Sequence, residues 1–87
     1  MAFSSRRDTL EILSDLLDNM QEPRRLTQLL YRSNLSYSQL RKYLTMVIEM
    51  GLAKYEKKPH GIYLVTDEGK MFIQMVKKRT VIKPMIS

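Results

Sequence analysis

The sequence contains no cysteine and no tryptophan, and His60 is its single histidine. Without cysteine the chain forms no disulfide and no thiolate zinc site, and His60 cannot build a histidine metal cluster alone. The sequence also shows no nucleophile–base pair, no glycine-rich phosphate loop and no carboxylate cluster on an apolar surface. We therefore expect no metal, no cofactor and no enzymatic activity, in an intracellular setting.

Long apolar segments are missing as well. No stretch approaches the roughly 20 apolar residues that cross a bilayer, and the N-terminus lacks the apolar run of a secretory signal. With 87 residues, 44% of them hydrophobic, residues 1–87 are expected to form one small domain with a thin core. We expect no membrane association and no small-molecule ligand. The expected location is the cytoplasm.

Charge of the two signs is unevenly distributed, although the net charge is +6. Residues 1–22 hold two arginines against five acidic residues, a balance of −3. Residues 23–87 hold 13 basic residues against four acidic ones, a balance of +9. Such concentration of positive charge is typical of a protein that binds a polyanion. Charge alone leaves open the alternative of an ordinary solvated surface.

The N-terminal half predicts three helices. The first is expected from about residue 6 to 20, capped by Ser4 or Ser5, and the second over about 28–32, capped by Thr27. Ser36 followed by Gln39 is a capping-box pattern that predicts the start of a third helix. The expected buried stripe of this helix is Leu40, Leu44, Val47 and Ile48, and Gly51 is expected to end it in a left-handed conformation.

The C-terminal half predicts a β-hairpin and a last helix. Residues 52–57 and 62–65 have strand character and flank a turn that contains Pro59 and Gly61. Thr66 is the expected cap of the last helix, with Met71, Phe72, Met75 and Val76 on its core side. Pro84 is expected to prevent helix near the end, leaving a short tail at about 79–87. The order helix-helix-helix-strand-strand-helix predicts a mainly helical α+β fold, the winged helix-turn-helix.

Two segments carry a resemblance to a known family. The first segment comprises Leu26–Tyr31, Asn34–Tyr37, Leu40, Tyr43–Leu44 and Gly51–Leu52. The second comprises Tyr63–Thr66, Gly69 and Phe72. Over about residues 8–76 the chain resembles small archaeal winged-helix DNA-binding proteins, which include transcriptional regulators and ten-kilodalton chromatin proteins. The resemblance implies DNA binding by the third helix and the hairpin, usually as a homodimer. It also implies a location on the nucleoid, or in the host cytoplasm for a virus-encoded protein. The chromatin members extend the last helix into a long coiled coil, and Pro84 departs from that pattern, which favours a regulator.

Candidate DNA contacts follow from the helix-turn-helix geometry, because the second helix of that motif enters the major groove. Arginine can bond two acceptors on guanine, so Arg41 is the leading candidate for a base contact. The recognition-helix candidates are Ser36, Tyr37, Ser38, Gln39, Arg41, Lys42 and Thr45. The candidates on the hairpin, or wing, are Lys57, Lys58 and His60, and those for phosphate contacts are Arg24, Arg25 and Arg32.

The predicted function is a sequence-specific regulator of transcription, most simply a repressor, that binds double-stranded DNA as a homodimer. Apolar surface in excess of what one core requires predicts the dimer contacts, which are Phe3, Ile12, Leu16, Ile73, Val81 and Ile82. Two alternatives remain open. One is an architectural protein that coats DNA with little sequence preference, and the other is a winged helix that binds an acidic protein partner.

Overall fold

A computed structural model describes the backbone of residues 8–58 and 60–86 and the side chains of residues 8–58 and 60–78. It contains four helices and one two-stranded antiparallel sheet, in the predicted order. These elements are α1 (Thr9–Asp18), α2 (Leu26–Arg32), α3 (Tyr37–Glu49), β1 (Ala53–Glu56), β2 (Ile62–Val65) and α4 (Asp67–Ile86). The winged helix-turn-helix predicted from the sequence is confirmed.

The starts of the first two helices differ from the prediction. Asp8 caps α1, since its side chain accepts a hydrogen bond of 2.8 Å from the amide of Glu11, so the predicted start near residue 6 was wrong. Helix α2 begins at Leu26 rather than after Thr27, because the side chain of Gln28 accepts a 2.9 Å bond from the amide of Arg25. In both cases a polar side chain nearby in sequence satisfies a backbone group that the helix leaves unpaired.

Both ends of α3 agree with the prediction. The Ser36 hydroxyl accepts from the amide of Gln39 at 3.2 Å, and the Gln39 side chain accepts from the amide of Ser36 at 3.0 Å. At the other end Gly51 has a φ of 77°, which few residues other than glycine adopt. The amides of Gly51 and Leu52 then bond back to the carbonyls of Ile48 and Val47. This pairing is a Schellman motif, and it turns the chain directly into β1.

The connection between α1 and α2 pairs with the free edge of the hairpin. Strands β1 and β2 pair from Ala53 opposite Val65 to Glu56 opposite Ile62. On the other side of β2, the backbone of Tyr63 pairs with that of Arg24 in an isolated antiparallel bridge. The bridge ties the α1–α2 connection to the wing, so β2 is paired on both of its edges.

The core lies between α1, α3, the hairpin and α4. It includes Leu13, Leu16, Leu17, Met20, Leu29, Leu40, Leu44, Val47, Leu52, Ala53, Tyr63 and Ile73. Gly69 sits where α4 crosses the start of β1, and a Cβ there would collide with the carbonyl oxygen of Leu52. The close approach of α4 to the hairpin therefore depends on this glycine.

Several predictions of burial were wrong. Leu16 and Ile73, predicted as dimer contacts, are 1% and 2% exposed within the single chain, so they belong to its own core. Met71 and Met75, predicted to face the core, are 64% and 66% exposed, because Gly69 and Ile73 define the inner face of α4 instead. Ile48 is exposed at the margin of α3. Ile12 is half-buried, while the side chains of Phe3, Val81 and Ile82 lie outside the described residues.

The last helix continues to Ile86, so the predicted tail from about residue 79 was wrong as a description of the backbone. No glycine, asparagine or proline occurs between Arg79 and Lys83 to end the helix. Pro84 removes one backbone hydrogen bond and disfavours helix at the preceding residue, but the helical backbone continues through it. Within residues 8–58 and 60–86, no helix combines the length and apolarity needed to cross a membrane.

Candidate nucleic-acid interface

The outer face of α3 is polar and accessible. Leu40, Leu44 and Val47 point into the core, which turns Ser38, Lys42 and Thr45 outward. The Thr45 hydroxyl donates a 3.0 Å hydrogen bond to the carbonyl oxygen of Arg41, so its lone pairs remain available as acceptors. The helix therefore presents short hydroxyl groups and a cation on the surface that a helix-turn-helix places in a groove.

Two of the predicted contact residues have structural roles at the start of α3. The side chains of Ser36 and Gln39 complete the capping box, and the Ser36 hydroxyl also lies 3.4 Å from that of Ser38. Tyr37 is exposed beside them. The capping box fixes the orientation of the first turn and hence the position of every outward side chain that follows.

Arg41 lies on the flank of α3 that faces the hairpin. It lines a cleft of about 390 Å³ between the start of α2, α3 and the wing, which we call the wing cleft. The residues of the wing cleft are Arg25, Leu26, Thr27, Arg41, Tyr55, His60, Gly61 and Tyr63. A second depression of about 340 Å³ adjoins it along α3 and shares Arg41, Tyr55 and Tyr63. Arg41 is thus accessible, but it is directed toward the wing rather than straight outward.

Two tyrosines form the wall of the wing cleft. The rings of Tyr55 and Tyr63 face each other across the hairpin, with centroids 4.8 Å apart and planes at 46°. Gly61 packs against the Tyr55 phenol so closely that a Cβ would overlap its hydroxyl. Burial raises the pKa of Tyr63, the positive charge of Arg41 opposes that rise, and Tyr55 and Tyr37 add to it. Arg41 and the tyrosines therefore share one electrostatic environment.

The three candidate residues at the wing tip are accessible. Lys57, Lys58 and His60 are all exposed. Lys54 behind them forms an ion pair with Glu56, at 3.4 Å. The exposed cations of the tip thus continue the basic surface that begins at Arg25 and Arg41.

A family model described as winged helix-turn-helix matches residues 6–83, nearly the whole sequence. The chain belongs to the winged helix-turn-helix family. Among solved structures it is similar to Sso10a-2, a DNA-binding protein from Sulfolobus solfataricus, with a TM-score of 0.82 and 25% identity over 92% of this chain and 85% of that one. It also shares the fold of AF1382 from Archaeoglobus fulgidus, with a TM-score of 0.68 and 17% identity over 100% and 99% of the two chains. No curated protein matches the sequence.

The three arginines that flank α2 in this winged helix fall in two places. Arg25 lines the wing cleft. Arg24 instead donates from Nε to the backbone carbonyl of Asn19 at 3.1 Å and lies 3.6 Å from a carboxylate oxygen of Glu22. Arg32 donates from Nε to the side-chain oxygen of Asn19 at 3.1 Å. The structure therefore brings only Arg25 together with the α3 and wing candidates, and it uses Arg24 and Arg32 to hold the α1–α2 connection.

Tyr55, Tyr63 and Thr27 line the wing cleft, but they were not predicted as site residues. The alternation in 52–57 and 62–65 predicts a hairpin, and cross-strand pairing could have placed Tyr55 opposite Tyr63. Nothing local indicates that this pair would flank Arg41 or that Thr27 would lie across the cleft. Those relationships depend on how α2 and the wing pack on α3.

Proposed function

We propose that this winged helix binds double-stranded DNA as a homodimer and regulates transcription, with α3 in the major groove and the wing on the adjacent backbone or minor groove. The observation that carries the proposal is the continuity of exposed cations and hydroxyl groups from α3 to the wing tip. Arg25, Arg41, Lys42, Lys57 and Lys58 are all exposed on these neighbouring elements.

Electrostatics support a nucleic-acid partner. Phosphate neutralisation by lysine and arginine supplies most of the sequence-independent affinity of DNA-binding proteins. Five of the nine acidic residues lie in residues 1–22, and two of these, Asp15 and Asp18, are exposed on α1. The likeness to Sso10a-2, described as a DNA-binding protein, supports the same conclusion at 25% identity.

The roles of individual residues follow from their positions. Ser38, Lys42 and Thr45 lie outward on α3, where they can reach base edges. The wing residues Lys57, Lys58 and His60 suit the sugar-phosphate backbone or the minor groove. Phosphate contacts fix the register of a protein on the duplex and carry little sequence information, so specificity is expected to depend on the outer face of α3.

The proposed dimer uses the exposed face of α4. Met71 and Met75 lie one helical turn apart and leave most of their surface in water, which is unusual for neighbouring large apolar side chains. Pairing two copies through this face would bury both. A symmetric dimer would then present two α3 helices to half-sites about 34 Å apart, one turn of the duplex.

Selection from a random duplex library is the experiment that tests this function. An enriched palindromic sequence, bound more tightly than random duplexes of equal length, is the expected result for a dimeric regulator. Equal affinity for all duplexes would favour the architectural alternative. Absence of duplex binding at low salt would overturn the proposal and leave a winged helix that contacts protein. Repression would follow most simply if the bound dimer blocks a promoter.

A further inference from the structure

We propose that the wing cleft is a clamp in which Arg25 and Arg41 together hold one backbone phosphate, so that Arg41 sets register on the duplex and does not contact a base. This inference rests on the proposed DNA binding. It assigns Arg41 a role different from the base contact expected from the sequence. It also pairs that residue with Arg25, which directly precedes α2.

The position of Arg41 on α3 is the first step. Successive residues of a helix are about 100° apart, so Arg41 lies beside the buried Leu40 and not opposite it. On that flank it meets Tyr55 and Tyr63 of the hairpin. Lys42, one residue further, has its Nζ 5.4 Å from the ring centroid of Tyr43, on the opposite flank of the helix. The two cations of α3 are therefore directed to different places.

The chemistry of the wing cleft suits an anion. It brings together Arg25, Arg41, Thr27, Tyr55 and His60, and none of the described residues that line it is acidic. Neither Arg25 nor Arg41 has an ion-pair partner among the residues that the structure describes. Two such cations in a concave surface create a local positive potential, and guanidinium groups bind phosphate oxygens through paired hydrogen bonds.

Geometry indicates which part of a duplex would occupy the cleft. If α3 lies in the major groove and the wing in the adjacent minor groove, the sugar-phosphate strand between the two grooves must pass between them. The wing cleft is the space between α3 and the wing, and about 390 Å³ is ample for one phosphate with part of its sugar. The exposed ring of Tyr55 offers that sugar an apolar wall.

The two halves of the clamp are fixed relative to each other. The amide of Tyr63 donates to the carbonyl of Arg24 at 2.7 Å, and the amide of Arg24 donates back at 3.2 Å. Arg25 is therefore anchored to β2 through its neighbour, and the ring of Tyr63 packs on Tyr55 beside Arg41. The opposing effect of Arg41 on the pKa of Tyr63 is consistent with this closeness. Such preorganisation reduces the ordering that phosphate binding would require.

The test is a double-mutant cycle on duplex binding with Arg25→Ala, Arg41→Ala and the double variant. Affinities are measured over a range of salt, on the selected duplex and on a random duplex of equal length. Each single substitution should weaken both duplexes by the same factor, roughly tenfold. The double variant should lose much less than the product of the two single effects, because one shared phosphate is lost only once. The salt slope, which is the slope of log affinity against log salt concentration, should fall in magnitude by about 0.9 for the double variant, the value for one phosphate.

A matched control is the pair Arg41→Ala with Lys58→Ala, because Lys58 is an exposed cation of the wing tip that does not line the cleft. These two losses should multiply. Two results would overturn the clamp. In the first, the affinity losses of Arg25→Ala and Arg41→Ala multiply and the salt slope of the double variant changes by about 1.8, the value for two phosphates. In the second, Arg41→Ala changes the preference for a base. Failure of the unsubstituted protein to bind any duplex at low salt would instead contradict the proposed function itself. Circular dichroism of each variant confirms that the fold is intact.

Discussion

Tyr63 and Arg24 pair through two backbone hydrogen bonds, of 2.7 and 3.2 Å, that join the wing to the connection between α1 and α2. Because Tyr63 also faces Tyr55 across the hairpin, β2 is held on both edges. The wing is thus a continuation of the helical body, and its charges have a defined position beside α3.

Replacing Gly69 by alanine should destabilise the protein by about 1–3 kcal/mol, the usual cost of forcing an extra methyl group into a packed site. The added Cβ would collide with the backbone carbonyl of Leu52 and the side chain of Val65, and the backbone oxygen cannot rotate away. Urea unfolding measures the change. Gln74→Ala, at an exposed position of the same helix, is the matched control and should have little effect. Equal stability of Gly69→Ala and the parent would contradict this packing.

Tyr63→Phe should change how stability depends on alkaline pH. The folded-state pKa of Tyr63 is raised above its ordinary value of 10.0, chiefly by burial. The folded chain therefore holds this proton more tightly than the unfolded chain, and stability should fall as pH rises above that value. Phenylalanine has no proton to lose, so the variant should lose less stability as the pH rises above about 10.

Denaturant unfolding of the parent and of Tyr63→Phe, repeated at several pH values below and above this pH, measures the change in stability. The matched control is Tyr31→Phe, which removes a phenol that is 92% exposed and should follow the parent. Parallel curves for the parent and Tyr63→Phe would show that this phenol is not responsible for the alkaline loss.

The dimer should depend on the outer face of α4. Met71→Glu and Met75→Glu place a charge in a proposed apolar interface while leaving the core untouched, because both side chains are exposed in the single chain. Sedimentation at tens of micromolar should show a dimer for the parent and a monomer for either variant. Gln21→Glu adds the same charge at an exposed position outside α4, in the α1–α2 connection, and is the control for charge alone. A monomeric parent would refute the dimer.

Sequence determined the local features of this fold well. Ser36 with Gln39 predicted the start of α3, and Gly51 predicted its end, because caps and left-handed glycines act over three or four residues. The prediction of Ser4 or Ser5 as the α1 cap was wrong, because Asp8 caps this helix. Glu11 follows Asp8 at the spacing that Gln39 has after Ser36, so the sequence contains the pattern that identifies this cap.

Relationships that depend on packing were not accessible from the sequence. An apolar arc wider than one core requires suggested a partner surface, yet α3, β2 and α4 pack against α1 and bury Leu16. Ile73 of α4 is buried in the same core. The bridge between Arg24 and Tyr63 is formed by backbone atoms, so no side-chain pattern in the sequence predicts it. The same holds for the wing cleft, whose residues come from α2, α3 and the hairpin.

The salt dependence of duplex affinity tests the central claim most directly. If the basic surface of α3 and the wing neutralises about six phosphates, the association constant should fall by roughly a thousandfold between about 50 and 200 mM salt. Fluorescence anisotropy with a labelled duplex, titrated at several salt concentrations, measures this slope. Steep loss of affinity with salt is the predicted result. Affinity that does not change with salt, or no binding at the lowest salt, would contradict the account.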